Sequence, residues 1–294
     1  MVKTKSAGDF IFRLVNGILL ILISLICLYP MLYVFFASIS DPMQLMQYSG
    51  LIWKPLGLSL EGYKVVLQNP NVLTGYANTL FYVLFGTALN MILTTMGAYG
   101  LSRKGYMLKK FFTVAIVFTM YFSGGLIPNF LLVKNLGMYD SRLAVIVPGA
   151  IATWNLIVMR TAFASVPASL EESARIDGAP DWVILWKVIV PVSKATMAVI
   201  VLFYSVTHWN SWFNASIYLL DRGKYPLQLF LREILIANTT GGNVAADASS
   251  DTTFFLEEVI RYATIIVATI PILCVYPFVQ KYFVKGAMMG SLKE

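Results

Sequence analysis

The stretch SLEESARIDGAPDWVILWKVIVP, residues 169–191, interrupts an otherwise apolar chain with Glu171, Glu172, Arg175, Asp177, Asp181 and Lys187. Ser169 followed three residues later by Glu172 has the spacing of a capping box, in which each side chain accepts a backbone N–H left over at a helix start. Glu171 and Glu172 would then sit in the first turn, where negative charge complements the helix dipole. On a 3.6-residue period Leu170, Ser173, Ala174 and Asp177 share a narrow face, while Glu171 and Arg175 pair at i, i+4. Gly178 is placed for a left-handed C-terminal turn, and Pro180 for the opening of a second helix through Trp182, Ile184, Leu185, Val188 and Ile189 to Pro191. The pattern predicts two short helices bent at Gly178. The first, about two turns and roughly 12 Å long, is too short to be stable alone. It needs a groove in a partner or a membrane interface to lie on.

The surroundings of this stretch are those of a membrane protein. Of 294 residues, 58% are hydrophobic and 13% charged, about half the charged share of a soluble domain. Runs long enough to cross a hydrocarbon core of roughly 30 Å cover residues 14–36, 79–101, 111–133, 143–159, 195–218 and 262–280, and none contains Asp, Glu, Lys or Arg. The fold class expected is all-α with six transmembrane helices, residues 1–294 forming one membrane domain with a charged loop at 167–191. The first run is too long for the apolar part of a signal peptide and is expected to be retained.

Six spans put both termini on one side of the membrane. Lys3, Lys5, Arg13, Arg103, Lys104, Lys109, Lys110, Arg160, Arg175, Lys187, Lys194, Lys281, Lys285 and Lys293 fall on that side, and fewer basic residues fall on the other. The positive-inside rule makes the richer side, with both termini and the charged loop, cytoplasmic. The net charge of +7 is thereby explained by topology. The basic residues flank apolar runs and form no stripe, so no nucleic-acid partner is expected.

Outside the membrane, residues 38–78 mix Pro42, Pro55, Gly57, Gly62 and Pro70 with aromatics and read as a folded loop with short helices. Residues 219–261 contain TTGGNVAADASSDTT and read as a mobile loop, slightly negative by residue count. Prolines 30, 128, 148, 271 and 277 predict kinks, and Gly97, Gly100, Gly124 and Gly125 predict close helix packing. Cys27 and Cys274 lie inside runs and are expected to be core thiols.

The chemistry that is missing narrows the function. An enzyme needs a nucleophile, a carboxylate pair or metal ligands around a pocket. The runs hold no acid, and the single histidine, His208, has no Cys, Asp or Glu near it in sequence. No catalytic residue and no metal site is expected. An ion-coupled transporter would bury acids or histidines in its path, and no phosphate-cradling G-x-x-x-x-G-K-[ST] loop occurs. If the chain transports, a partner supplies the energy, and the 169–191 stretch is the feature that can receive one. A structural membrane subunit stays open at this point.

That stretch resembles the EAA signature of ABC importer permeases, E-A-A-x-x-x-G-x9-I-x-L-P, through Glu172, Gly178 and Pro191. Ser173, Val188 and Val190 replace its first Ala, its Ile and its Leu by small or apolar residues. NTLFYVLFGTALN, AYGLSR, GGLIPNFLLVKNLGMYDSRLAVIVPGAI, WNLIVMRTAF, HWNSWFNA and the tail YFVKGAMMGSLKE extend the likeness to the carbohydrate-uptake branch, MalG-like and YtcP-type. The resemblance implies the type I importer (MetI/MalG-like) fold in a bacterial cytoplasmic (inner) membrane. It implies a MalF/LplB-like second permease, two ATP-binding cassette subunits that use ATP and Mg, and an extracytoplasmic solute-binding protein. It implies no cofactor on this chain and oligosaccharide cargo, uronate oligosaccharides from alginate or pectin included. Glu171, Glu172, Ser173, Ala174, Arg175, Asp177, Gly178 and Ala179 would form the helix that docks on the ATPase, and residues 285–294 would reach between the ATPases. An importer for amino acids, peptides or phosphonates is the alternative within this class.

For the path itself, Trp154, Asn155, Trp209, Asn210 and Asn214 offer amides for sugar hydroxyls and aromatic faces for stacking. Asn210 and Asn214 are four apart in the fifth run. The competing reading of Trp209 and Trp212 is an interfacial aromatic belt.

Overall fold

The computed structural model describes residues 7–103, 105, 107–240, 256–274 and 277, and every regular element among them is helical. Two compact units divide the chain, residues 1–69 with 233–269 and residues 70–232 with 270–294.

In the first unit α1, Ala7–Ser38, contains the first expected run. Its Phe10–Ser38 part is apolar enough to cross a membrane. Pro30 sits inside it without ending the helix. Two short helices follow, α2 at Pro42–Gln47 and α3 at Glu61–Gln68, so residues 38–69 form the folded, short-helical segment expected of them. Asp41 caps α2, its Oδ1 accepting from the amides of Met43 and Gln44 at 3.1 Å. Ala37, Leu45, Ile52 and Val259 make the core here.

In the second unit α4 runs from Pro70 to Ser102, starting nine residues before the expected second span because Pro70 needs no partner for an N–H at a helix start. The third expected span is not one helix. α5, Lys109–Tyr121, and α6, Leu126–Asn135, meet at 114°. Gly124 and Gly125 supply this break and not a packing surface; Gly125 stands at φ +89°, which only glycine adopts freely. The fourth span is also broken, α7 Leu143–Gly149 meeting α8 Thr153–Ala164 at 50°. α9, Ala168–Ile176, and α10, Asp181–Val192, then lead at 88° into α11, Lys194–Trp209. α12, Phe213–Tyr218, follows, so the fifth run is interrupted at residues 210–212. Counting each bent pair as one crossing, up to five spans occur among the described residues.

α13, Leu227–Thr240, was not anticipated in the second outer segment. Residues 241–255, most of the TTGGNVAADASSDTT tract, lie outside the described residues, as does the end of the 262–280 span and the 285–294 tail. The last helix, α14, covers residues 256–274. Cys27 and Cys274 are exposed, contrary to the core role expected of them. A weakly polar thiol costs little on the apolar surface of a membrane helix.

The core of the second unit packs α4 against α8, α10 and α11 through Ala98, Leu101, Leu156, Met159, Phe163, Ile184, Leu185, Ile189, Ile200 and Tyr204. Gly86 closes a π-turn of α4, Tyr82–Gly86, and faces the buried His208 ring. This close approach brings α11 onto α4.

Candidate functional site

The charged loop is capped at one end of its first helix and not at the other. At its C-terminal end α9 closes in the glycine motif: Gly178 N–H donates to Arg175 O at 3.0 Å and Ala179 N–H to Ala174 O at 2.9 Å. Gly178 has φ +77°, the left-handed turn its position required. Pro180 follows in extended conformation and α10 begins at Asp181. The N-terminal end departs from expectation. Pro167 is the cap residue, φ −56° and ψ 131°, α9 starts at Ala168, and no side chain caps it. Ser169 is therefore inside the first turn, and the Ser169/Glu172 capping box does not form. The physical reason is that the helix begins one step earlier: Leu170 N–H donates to Pro167 O at 3.2 Å, so Ser169 is already helical and cannot act as the cap.

Those ion pairs close a ring. Arg103, just past the end of α4, pairs through Nη1 with Glu171 Oε2. Glu171 Oε1 accepts from Arg175 Nη2 at 3.0 Å, the i, i+4 pair foreseen, and Arg175 Nη2 also reaches Asp181 Oδ1 at 2.6 Å. Tyr99 Oη donates to Asp181 Oδ1 at 3.4 Å, and the Arg103 guanidinium lies 4.9 Å from the centre of the Tyr99 ring. The hydrogen bond from Arg175 to Glu171, with the nearby charge of Asp181, holds the Arg175 guanidinium above its usual pKa. Arg103 Nη2 donates to Phe163 O at 2.9 Å, and Arg160 Nε to Leu101 O at 3.3 Å, so basic side chains fill carbonyls left open at the ends of α8 and α4. Arg103, Asp181 and Tyr99 were not singled out from sequence as members of the site. Tyr99 and Arg103 meet the elbow from far away in the chain, and the charges of Arg103 and Asp181 were readable but not their partners.

Ala174 on α9 and Ala179 just beyond it pack against the core. Glu172, Ser173, Arg175, Asp177 and Gly178 are exposed, as is Ile176 at 85%.

The residues offered for the path separate into two groups. Trp154, 59% exposed, and Asn155 line a cleft of about 520 Å³ with Ala152, Leu202, Phe203, Val206 and Thr207. Trp209 is buried, its ring 6.3 Å from that of Tyr76. Asn210 ends α11 with Nδ2 bonded to Val206 O at 3.0 Å, and Asn214 lies on α12 beyond the break, half-buried. The two asparagines therefore do not share one continuous helix, because the chain leaves helical geometry at 210–212.

Behind the cleft, the break between α7 and α8 is neutralised by side chains. Ala152 N–H donates to Tyr204 Oη at 3.0 Å, Tyr204 Oη lies 2.7 Å from Thr94 Oγ1, and Asn90 Nδ2 donates to Gly149 O at 3.0 Å. His208 Nε2 completes the set 3.2 Å from Asn90 Oδ1, a structural engagement for the single histidine. Irregular backbone at membrane depth survives only where such partners are found.

Elsewhere in the second unit, Asp140 clasps the segment at residues 220–224. It stands at φ +53°, and its Oδ1 accepts from the amides of Leu220 and Asp221, both at 3.0 Å. Lys224 Nζ adds bonds to Asp140 O at 2.6 Å and to Oδ2 at 3.3 Å. The Asp221 and Leu220 amides, then Lys224, hold this carboxyl below the usual carboxylate range.

Broken apolar helices carrying an exposed, ion-pinned elbow and a cleft beside a helix break define a multi-pass membrane permease. The family described as binding-protein-dependent transport system inner membrane component matches residues 104–289, and the chain belongs to that family. It is the membrane-embedded permease of such a transporter and not its catalytic subunit. The chain is 41% identical over 281 residues to the polygalacturonan/rhamnogalacturonan transport system permease protein YtcP of Bacillus subtilis (strain 168), covering 95% of this chain and 97% of that one. It is 37% identical over 286 residues to protein LplC of the same organism, covering 96% and 95%. Among solved structures it is similar to a chain of a bacterial ABC transporter involved in the import of the acidic polysaccharide alginate, with TM-score 0.84, 36% identity, and coverage of 96% of this chain and 100% of that chain.

Proposed function

We propose that this permease is one half of a heterodimeric ABC importer for oligosaccharides, with uronate-bearing fragments of acidic polysaccharides such as alginate or pectin as the cargo class. The near full-length likeness to the alginate importer chain, at 36% identity, carries the reading. The whole chain then acts as a single permease domain of the type I importer fold, with six spans and both termini cytoplasmic. Its partners are a MalF/LplB-like permease, two ATPase subunits that bind ATP and Mg, and an extracytoplasmic binding protein.

In this mechanism α9 and Gly178–Ala179 dock in a cleft of one ATPase, presenting Glu172 and Ile176. Closure of the ATPases on nucleotide displaces the docked elbow, and the helices rock between inward- and outward-facing states. ATP and the loaded binding protein favour the outward state only to the extent that each binds it more tightly. The cleft at Trp154 and Asn155 supplies a stacking face and an amide to the sugar path, beside a helix break of the kind that lines transporter cavities.

The test is reconstitution of the complete complex in proteoliposomes with oligogalacturonate, alginate fragments, neutral oligosaccharides, amino acids and peptides offered in turn. Uronate oligosaccharides should stimulate binding-protein-dependent ATP hydrolysis and accumulate inside, and Glu172→Lys should uncouple hydrolysis from uptake. Stimulation by amino acids or peptides in place of sugars would discard the reading.

A further inference from the structure

The elbow carries two adjacent glutamates, Glu171 and Glu172, and they face different surroundings. Glu172 is exposed, and no ion pair to it occurs among the described residues. Glu171 is turned inward: its side chain is 16% exposed and that of Arg103 19%, against 50% for Arg175 and 63% for Asp181. Shielding from water strengthens the inner pair relative to the outer one, since Coulomb attraction rises as the local dielectric falls.

A nine-residue helix cannot hold its own orientation, and its apolar anchorage to the core is Ala174 with the flanking Val166 and Ala179. The chain tether is three residues, Ser165–Pro167, between α8 and α9. What fixes the helix laterally is the ring from Tyr99 and Arg103 on the α4 side, through Glu171 and Arg175, to Asp181 on α10. Arg103 is the branch point, because its second amino group holds Phe163 O at the end of α8 while its first holds Glu171.

We propose that Arg103 is a positioning residue for transport: with Glu171 it forms a stiff strut that passes displacement of the elbow to the end of the second span. The inference rests on the reading of α9 as the ATPase-docking helix and adds a load path to it. A push on α9 moves the end of α4 directly, and through α4 the helices packed on it, α8 and α11. Without the strut the push is taken up by the tether and by rotation of α9 about Gly178. Glu172 is left for the partner.

The test is a double-mutant cycle in the reconstituted complex with Arg103→Gln, Glu171→Gln and both together, reading uptake per ATP hydrolysed for each assembled complex. Each single change should lower that ratio about fivefold or more, the lower end of typical inter-site coupling. The two effects should combine to less than their product, since both single changes remove the same Arg103–Glu171 contact, while loss of the Arg103–Phe163 and Glu171–Arg175 bonds adds separately. Fully multiplying effects, an unchanged ratio, or failure of both glutamine variants to assemble would overturn the proposal, the last by assigning the pair to folding alone. If Glu172→Lys uncouples while Arg103→Gln and Glu171→Gln do not, the strut fails and the docking helix stands. If Glu172→Lys also leaves coupling intact, the docking reading itself fails.

Discussion

Gly178 allows backbone strain and steric crowding to be separated at the elbow. Its φ is +77°, and a Cβ built on it would meet nothing within 4 Å in this chain. Any intramolecular cost of a side chain here is therefore conformational: an L-residue in the left-handed region costs about 1–2 kcal/mol, less for Asn and more for a β-branched residue. A cost of that size lowers the share of molecules with the elbow correctly bent roughly 5–30-fold relative to competing bends. The order of damage should be Gly178→Asn, then Gly178→Ala, then Gly178→Val, measured as substrate-stimulated ATP hydrolysis and uptake in the reconstituted importer. Asn is larger than Ala, so crowding by a docked partner would invert the first two. An Asn variant as impaired as the Ala variant, or worse, would refute the backbone explanation.

Two further substitutions probe the supports of the site. Gly86→Ala would place a Cβ 2.5 Å from Cε1 and Nε2 of His208, whose ring is buried and bonded to Asn90. Overpacking of this kind costs about 1–3 kcal/mol, so thermal unfolding of the purified chain in detergent should shift down; Gly100→Ala, with nothing within 4 Å, should not shift it down, and equal behaviour of the two would contradict the close approach of α11 to α4. The depressed pKa of Asp140 means its clasp contributes fully above the ordinary carboxylate value of about 3.9 and is lost as pH falls through the lower folded value. Amide exchange at Leu220 and Asp221 should accelerate in Asp140→Ala at neutral pH. It should do so much less in Asp140→Asn, which tolerates the positive φ and keeps an acceptor; equal exchange in both would remove the clasp.

The sequence alone determined the elements that follow from local chemistry. Apolar runs without charge must be helical in a solvent that offers no hydrogen bonds, and α1 and α4 obey. Gly178 and Pro180 punctuate the elbow because only their backbones suit a left-handed turn followed by an extended step, and Glu171 meets Arg175 because four residues make one helical turn. Local spacing also suggested the Ser169/Glu172 box, which fails because the helix starts at Ala168 behind Pro167 and takes Ser169 into its first turn. Tertiary structure decided where runs break: Gly124 and Gly125 read equally well as a packing face or a bend, and residues 150–152 can leave helical geometry only because Asn90 and Tyr204, far off in the chain, satisfy the freed backbone. It likewise decided that Arg103 and Tyr99 join the elbow, since contacts across 68 and 82 residues depend on packing that no local pattern encodes.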